Sequence, residues 1–223
     1  MIRVALDGPS GAGKSTVAKA LSARLGLVYV DTGALYRTVG YYVRQKGADP
    51  KSEAEVTRLL PEMQVELCYR NGEQHVMLNG EDLGQKIREP EISMYASAVS
   101  ALPSVRAFLL DMQRNIARHQ SVVMDGRDIG TVILPDAEIK IFLSASSEAR
   151  AQRRYRELTE KGISTTYEDV LRDMEERDRN DAGRAVAPAI PAADAVKMDN
   201  SHMTVEENVE AILQLIRERG LSV

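Results

Sequence analysis

Apolar and polar positions follow one another along the first part of the chain in blocks that predict strands and helices in turn. Residues 2–6 form a short apolar run that ends in Asp-Gly-Pro, which is typical of a buried strand entering a turn. From Lys14 the apolar residues recur every four positions, and Gly26 ends this predicted helix. Residues 27–30 predict a second strand, and the next helix has an apolar face that starts at Leu35. This order of elements indicates a parallel sheet with crossover helices.

The pattern changes after Pro50. Residues 51–63 have helical spacing, and residues 63–88 then alternate between apolar and polar positions around an Asn71-Gly72 turn signal. Helices resume at about Glu91 and again at Pro103. We therefore expect a small antiparallel meander inserted into an otherwise parallel α/β arrangement.

Three further apolar runs predict the remaining strands of the parallel sheet, at residues 122–124, 139–143 and 195–198. Residues 150–184 lie between the last two and hold nine basic and nine acidic side chains, a pattern typical of a solvated helical hairpin. Spacings of three residues predict capping boxes from Thr165 to Glu168 and from Thr204 to Glu207.

Composition narrows the classes of protein that fit this pattern. The 223 residues are 43% hydrophobic, which is enough to bury a core. The 29 basic and 33 acidic residues give a net charge of −4, so a broad nucleic-acid surface is not expected and an anionic ligand would need local arginines. Apolar runs stay below the ~18–20 residues of a membrane span.

The remaining composition argues against secretion and against a structural metal. A charge already stands at Asp7, too early for a signal peptide, and Cys68 is the single cysteine. The three histidines lie far apart and lack metal-ligand spacing. We expect a cytoplasmic protein.

The turn after the first strand carries the strongest motif, because it fits G-x-x-x-x-G-K-[ST] without a mismatch and lies between a strand and a helix. Glycines there let backbone N–H groups surround phosphate oxygens at the positive end of a helix dipole. Lys14 would lie along the β- and γ-phosphates, and the Ser15 hydroxyl would bind Mg²⁺. The predicted ATP-binding residues are Gly8, Pro9, Ser10, Gly11, Ala12, Gly13, Lys14, Ser15 and Thr16.

Two classes of nucleotide-binding protein have to be separated. A GTPase would carry Asp-x-x-Gly and Asn-Lys-x-Asp, and the sequence contains neither. A small-molecule kinase needs a second anion site, and the candidates are Arg37, Arg127 with Asp128, and the group of Arg177, Asp181 and Arg184 beyond the charged hairpin. The first two follow predicted strands, and ligands sit at strand ends in open α/β sheets, so their positions support them.

Four motifs taken in order resemble the bacterial cytidylate kinases, which belong to the nucleoside monophosphate kinase group. The motifs are the run 7–15 (Asp-Gly-Pro-Ser-Gly-Ala-Gly-Lys-Ser), the run 31–37 (Asp-Thr-Gly-Ala-Leu-Tyr-Arg), the run 125–131 (Asp-Gly-Arg-Asp-Ile-Gly-Thr), and Arg177-Asp178 with Asp181 and Arg-Ala-Val-Ala-Pro at 184–188. The resemblance runs nearly end to end. It departs from the family at Ala182, where a serine is common.

The resemblance implies transfer of the γ-phosphoryl group of ATP to CMP or dCMP, with Mg²⁺ bound alongside ATP. It also implies a role for each matching residue, with Lys14, Arg127 and Arg184 as the catalytic group. The residues implied to recognise the base are Thr32, Ser97, Arg106 and Asp128. Those implied to bind the acceptor phosphate are Arg37, Arg127 and Arg184, and those implied to contact the sugar are Arg177 and Asp181. The lid arginine that would close over ATP is Arg153 or Arg154.

The fold implied is a P-loop kinase fold of the α/β class, with a five-stranded parallel sheet, helices on both faces, a small antiparallel insert and a helical lid. The core domain is expected at 1–50, 103–150 and 185–223. The monophosphate-binding domain is expected at 51–102, with its antiparallel insert at about 63–88, and the lid at 150–184.

Several alternatives stay open at this point. Another small P-loop kinase, acting on UMP, AMP or shikimate, would share the first motif, and a nucleotide-dependent regulator would hold GTP without an acceptor. Asp7 and Asp125 close strands near the P-loop, where they could orient the waters of Mg²⁺. We expect a monomer that takes neither nucleic acid nor membrane as a partner.

Overall fold

Two separate sheets are present in the computed structural model of this chain, which describes residues 1–70 and 72–221. The larger sheet has five strands in the order β2-β6-β1-β7-β8, and the smaller has the order β3-β4-β5. The strands β1 to β8 are Arg3–Asp7, Val28–Asp31, Val65–Arg70, Glu73–Leu78, Glu81–Asp82, Val122–Gly126, Ile139–Ser144 and Val196–Asp199. The predicted combination of a parallel sheet and an antiparallel insert is confirmed.

Helices occupy most of the segments that the apolar spacing marked as helical. The helices α1 to α8 are Lys14–Leu25, Thr32–Gln45, Glu53–Leu59, Pro90–Val99, Pro103–His119, Ser147–Glu160, Tyr167–Ala182 and Val205–Glu218. Short 3₁₀ turns cover Leu60–Glu62 and Gly84–Arg88, and a π-helical turn covers Ile129–Ile133. The π-helical turn was not predicted, because its apolar residues lack a clear period.

The ends of the helices follow from local chemistry. Gly26 ends α1 in the left-handed region, at φ 64°, and the Leu27 N–H returns to the Ser22 carbonyl at 2.9 Å. The predicted capping box of Thr204 and Glu207 is present at α8.

The predicted capping box of Thr165 and Glu168 is wrong by one residue. The helix α7 begins after Thr166, whose hydroxyl accepts from the Asp169 N–H at 3.1 Å. The two adjacent threonines and the adjacent Glu168-Asp169 pair offer the same three-residue spacing in two registers. The spacing therefore could not choose between them.

The antiparallel sheet matches the predicted meander. In β3 and β4, Val65 pairs with Leu78 and Arg70 pairs with Glu73. The predicted turn at Asn71-Gly72 falls partly outside the described residues, since Asn71 is not among them. The second turn is formed by Asn79 and Gly80, both with positive φ (51° and 82°), as expected for an Asn-Gly hairpin turn.

The described chain divides into two compact units. The first unit is Met1–Leu27 together with the chain from Ser121 onward, and the second is Val28–Gln120. In this division residues 28–50 and 103–120 fall with residues 51–102, because α2 and α5 bury their apolar faces, for example Leu35 and Leu109, in the same core as the antiparallel sheet. The functional domain boundaries expected from the sequence stay a prediction.

Within the first unit, the charged hairpin of α6 and α7 has a small apolar core of its own. Ala151, Leu158, Val170 and Met174 are buried there, and the rings of Tyr155 and Tyr167 meet edge to face at 6.4 Å. Most charged residues of this hairpin lie outside the small core, but Arg150 and Asp181 are themselves buried.

A search for membrane spans among the described residues finds no single helix of sufficient length and apolar content. The helices α4 and α5 pass the test of length and composition only when taken together, and they are bent by 99° at the break between them.

Candidate active site

The loop between β1 and α1 has the backbone of a phosphate-binding nest. Gly8, Gly11 and Gly13 all have positive φ, at 149°, 73° and 81°. An added Cβ at Gly8 would lie 2.0 Å from the Leu143 carbonyl oxygen, and one at Gly11 would lie 2.6 Å from Cε of Met174. Glycine is therefore required at Gly8 for space, because the close atom there belongs to the backbone, whereas the end of the Met174 side chain can move away from Gly11. At both positions the positive φ favours glycine.

Lys14 begins α1 and is 6% exposed. Its ammonium donates to the Pro9 carbonyl of the same loop at 2.7 Å. Burial holds the pKa of Lys14 well below its usual range, and the positive charges of Arg127 and Arg177 lower it further. A buried ammonium beside two guanidinium groups makes this region strongly attractive to a polyanion.

The second polar residue of the helix, Ser15, is joined to the end of β6. Its hydroxyl donates to Oδ2 of Asp125 at 2.8 Å, and Asp125 is 4% exposed. Together they form a set of oxygen donors of the kind that Mg²⁺ prefers.

Asp7, at the end of β1, is held by backbone donors, and its expected part in orienting the waters of Mg²⁺ stays a prediction. Oδ1 accepts the Ile129 N–H at 2.8 Å and Oδ2 accepts the Gly130 N–H at 2.7 Å, so both oxygens are engaged by backbone. Burial raises the pKa of Asp7 to about 6, with a contribution from the nearby Asp128, while the two N–H donors and Lys14 act in the opposite direction. The structure thus separates Asp7 from Asp125, which does contact a P-loop residue.

Three of the predicted acceptor-site residues come together in one cluster. Asp181 accepts from Nε of Arg127 at 3.0 Å, and its other oxygen accepts from Arg184. Burial would raise the pKa of Asp181, but Arg127, Arg184 and Arg177 together hold it below its ordinary value. The side chains of Arg184 and Asp181 are both less than a tenth exposed. The cluster therefore holds a net positive charge that is largely shielded from water.

Ser10, in the P-loop, binds the two helices of the charged hairpin through every polar group it has. Its N–H donates to Asp178 at 3.4 Å, its carbonyl accepts from Arg150 at 3.0 Å, and its hydroxyl accepts from Arg177 at 3.3 Å. Arg150 also pairs with Asp178. This arrangement ties Arg177, a predicted sugar contact, to the loop that would hold ATP.

The two predicted lid arginines on α6 have different surroundings. Arg153 donates to the Asn200 and Ser201 carbonyls, and the Asn200 amide donates to the Ala12 carbonyl of the P-loop at 2.7 Å. Arg154 pairs with Glu157 on its own helix at 2.8 Å and is about a third exposed. Arg153 is thus linked to the P-loop through Asn200, whereas Arg154 is held on its own helix.

Two predicted acceptor-site residues, Thr32 and Arg37, lie at the start of α2 in the second compact unit. Asp31 caps this helix by accepting the Ala34 N–H at 2.9 Å, and it pairs with Arg37 at 2.7 Å. Burial would raise the pKa of Asp31, but Arg37 and Arg88 hold it below its ordinary value. The Nε of Arg37 is buried with no hydrogen-bond partner among the described residues, and Thr32 is 2% exposed.

The other two predicted residues of the second unit, Ser97 and Arg106, are linked by Ser100. The Ser100 hydroxyl donates to the Ser97 carbonyl at 2.8 Å, and its own carbonyl accepts from Arg106 at 3.1 Å. The guanidinium of Arg106 also lies 5.7 Å from the centre of the Tyr36 ring. Packing thus holds a buried arginine at a fixed place.

Sequence reasoning missed four residues that hold the site together. Arg150, Asp178 and Asn200 support the P-loop, and Gln74 exchanges two hydrogen bonds with the backbone of Asp31. Only Asp178 had a signal, since it stands in one of the four motifs, next to Arg177. The partners of the others are 43 to 188 residues away in sequence, so no local pattern marks them.

A phosphate nest, a buried lysine and a cluster of partly buried arginines around the buried Asp181 define a P-loop kinase. A family model described as cytidylate kinase matches residues 4–218. The chain belongs to the cytidylate kinase family. It is 47% identical to a cytidylate kinase of Fervidobacterium nodosum over 97% of both chains, and 45% identical to one of Ligilactobacillus salivarius over 98% of both.

Solved structures show the same fold at much lower identity. A shikimate kinase from Bacteroides thetaiotaomicron is 12% identical, with a TM-score of 0.50 over 97% of this chain and 98% of that one. An uncharacterized protein from Eubacterium ventriosum is 13% identical, with a TM-score of 0.51 over 97% and 99%. These likenesses bear on the fold alone.

Proposed function

We propose that this chain transfers the γ-phosphoryl group of ATP to CMP or dCMP, producing ADP and the nucleoside diphosphate. The observation that carries the proposal is the cluster of Arg127 and Arg184 around the buried Asp181, with the charge of Arg127 acting on Lys14 of the P-loop. Family membership over nearly the whole chain names the acceptor. Two polyanions have to be brought together, so the protein contributes charge and position more than covalent chemistry.

The donor side of the reaction belongs to the P-loop, with residues 8–16 as the ATP-binding segment. The inward-turned N–H groups of the loop surround the phosphates at the N-terminus of α1. On ATP binding, Lys14 exchanges its bond to the Pro9 carbonyl for the β- and γ-phosphate oxygens. There its charge stabilises the negative charge of the leaving group.

Magnesium enters the proposal with ATP. The Ser15 hydroxyl and the Asp125 carboxylate fit this ion, because they are a hydrogen-bonded pair of oxygen donors at the start of α1. Ser15 would bind the ion and Asp125 would orient it. The ion supplies neutralisation of the phosphate oxygens during the transfer.

We assign the acceptor phosphate to Arg37, Arg127 and Arg184. Arginine suits this task because its planar fork grips phosphate at two points and stays charged. The buried Nε of Arg37, which lacks a partner, is the kind of donor that an anion would satisfy. The phosphate of a nucleoside monophosphate is mostly ionised at pH 7, so the acceptor needs no general base.

We assign the sugar to Arg177 and Asp181, and the base to Thr32, Ser97, Arg106 and Asp128. Cytosine has an exocyclic amine where uracil has a carbonyl, so the carboxylate of Asp128 would distinguish the two. Arg153 and Arg154 are the candidate lid arginines, with residues 150–184 as the lid and 51–102 as the monophosphate-binding part. We also propose that the protein is a monomer and that it binds neither nucleic acid nor membranes.

The test is a panel of acceptors in a coupled assay of ADP release. We expect turnover with CMP and dCMP in the presence of ATP and Mg²⁺, and far slower turnover with UMP, AMP or shikimate. A chain that prefers one of the last three would be a different small-molecule kinase. ADP release that is independent of every acceptor would indicate a nucleotide-dependent regulator.

A further inference from the structure

We infer that Asp7 is a positioning residue, which fixes the acceptor-site segment of Arg127 and Asp128 relative to the ATP-binding loop. The inference rests on the proposed function, because it concerns the same site. Asp7 belongs to neither substrate contact set, so its role would be exerted through the residues that it holds.

The geometry of Asp7 joins two parts of the chain that are far apart in sequence. It is the last residue of β1 and is followed directly by Gly8, the first residue of the P-loop. Its two oxygens accept the N–H groups of Ile129 and Gly130, at 2.8 and 2.7 Å. These two residues directly follow Arg127 and Asp128, so one side chain connects the donor loop to the acceptor segment.

The segment that follows Asp128 needs this support because it does not itself provide acceptors for its first N–H groups. The first N–H groups of a helical turn have no partner within it, and the π-helical turn Ile129–Ile133 has just one turn. The turn begins at Asp128, whose backbone is at φ −143° and ψ 28°, away from the helical region. The carboxylate of Asp7 provides acceptors for two of the open N–H groups from a neighbouring strand.

Gly130 shows how closely the segment is held. An added Cβ there would lie 3.2 Å from Cδ of Lys140 and 3.4 Å from Oδ2 of Asp7. Lys140 is itself fixed by a bidentate contact to Asp194, at 2.8 and 2.9 Å. The segment is therefore confined between a carboxylate on one side and a fixed lysine stem on the other.

The identity of the residue argues for a role beyond packing. Asp7 is 4% exposed, and a buried carboxylate is less stable there than an apolar residue of similar size would be. Nearby Asp128 adds like-charge repulsion, which Lys14 partly offsets. A buried acidic side chain is unfavourable in free energy, so we expect one where two backbone N–H donors must be held in one place.

The consequence concerns the acceptor more than ATP. A displacement of about 1 Å at a reacting group can cost roughly 10²-fold in rate. Loss of the Asp7 contacts would move Arg127 and Asp128 together, so phosphate binding and base selection would weaken in the same variant. The P-loop keeps its own supports, among them the bond from Ser15 to Asp125.

The test variant is Asp7→Asn, which keeps the shape but places an amide NH₂ opposite a backbone N–H. We expect kcat/KM for CMP to fall about 10- to 100-fold, as expected for a misplaced group. We expect the affinity for ATP alone, measured by calorimetry, to change less than about threefold, and the ratio of CMP to UMP turnover to narrow. Equal losses for ATP and CMP, or an unchanged kcat/KM, would overturn the inference.

Two further variants separate positioning from stability. Gly130→Ala disturbs the same segment without removing a charge, and we expect the same selective loss for the acceptor, even if Asp7→Asn does not fold. Glu138→Gln is the matched control, because Glu138 accepts the Arg3 N–H at the other end of β1, at 2.8 Å. It should lower the unfolding temperature and leave the kinetics unchanged; an acceptor-specific loss in this control would also count against Asp7.

The outcome is independent of the identity of the acceptor. The variants are compared on the acceptor that the wild-type chain uses fastest, and selectivity is measured against its second-best acceptor. A wild type that ignores CMP would refute the proposed function, whereas the selective loss in Asp7→Asn and Gly130→Ala would still support the positioning role. Variants with wild-type kinetics on that acceptor would refute the positioning role alone.

Discussion

The two compact units differ in how many charged side chains they bury. Among the described residues, the first unit buries seven charged side chains, and the second, Val28–Gln120, buries two, Asp31 and Arg106. The seven are Asp7, Lys14, Asp125, Asp128, Lys140, Arg150 and Asp181. Both units have buried apolar side chains: the second has one large apolar core that joins its helices to the antiparallel sheet, and the first buries residues such as Leu6, Met124 and Ile141. The first unit thus adds a network of buried charge to its apolar core, whereas the second is held together almost entirely by apolar contact. We call the first the charged unit and the second the apolar unit.

Buried charge is costly unless it is paired, and in the first unit the partners come from distant parts of the chain. Arg150 illustrates this, since its guanidinium donates to the Ala145 and Ser10 carbonyls, to Ser147 and to Asp178. Such a network keeps each charge at a fixed place without water. Fixed charge is what a site for phosphoryl transfer requires.

The second unit positions its few polar residues by packing. An added Cβ at Gly40 of α2 would lie 2.9 Å from the backbone nitrogen of Ala96 in α4, so these two helices approach as closely as glycine allows. Arg37 and Ser97 lie on the same two helices. Their placement therefore depends on an apolar contact, and the difference between the units predicts different failures on substitution.

The largest expected effect is at Lys14, in the charged unit. We expect Lys14→Ala to lower kcat by about 10²–10³ or more, since a preorganised charge at the transferring phosphoryl group is lost. The unfolding temperature should stay the same or rise, because burial already disfavours the ammonium. Lys19→Ala, on an exposed position of the same helix, is the control and should keep full activity. Wild-type turnover in a folded Lys14→Ala protein would refute the P-loop assignment.

The next effect is expected in the apolar unit, on stability and not on turnover. Leu109 of α5 is fully buried, and Leu109→Ala should lower the free energy of unfolding by about 2–5 kcal/mol. Denaturant unfolding measures this, and Asp111→Ala on the exposed side of α5 should change it by less than about 0.5 kcal/mol. The folded fraction of Leu109→Ala should keep its kcat; a large loss of kcat would mean that the apolar core contributes directly to the chemistry.

The features of the fold and site that could be predicted from the sequence are those that depend on local signals. The P-loop and the end of α1 at Gly26 were predictable, because glycine spacing and helix capping are local. The contacts of Asp7 and Arg150 could not be predicted, because their partners are distant in sequence. The partner Ile129 lies 122 residues after Asp7, and Ser10 lies 140 residues before Arg150. An apolar face such as that of α2 does not reveal from the sequence which core it joins, so the division into two compact units had no local signal either.

The smallest expected effect tests which unit selects the base. A carboxylate at Asp128 would accept from the amine of cytosine, whereas uracil would present a carbonyl to it, acceptor against acceptor. One well-placed pair of this type is worth about 1–3 kcal/mol, roughly a ten- to hundredfold preference. Asp128→Ala should therefore lower kcat/KM for CMP by about that factor and narrow its advantage over UMP.

The matched variant lies in the other unit. Ser97→Ala removes a neutral hydroxyl, so its effect on the CMP-to-UMP ratio should stay below about tenfold, as for a neutral hydrogen bond of about 0.5–1.5 kcal/mol. Both variants are measured with both acceptors, because a purely structural role for Asp128 would slow CMP and UMP alike. An unchanged ratio in Asp128→Ala would remove this residue from base recognition. A larger effect in Ser97→Ala than in Asp128→Ala would mean that the apolar unit, and not the charged one, selects cytosine.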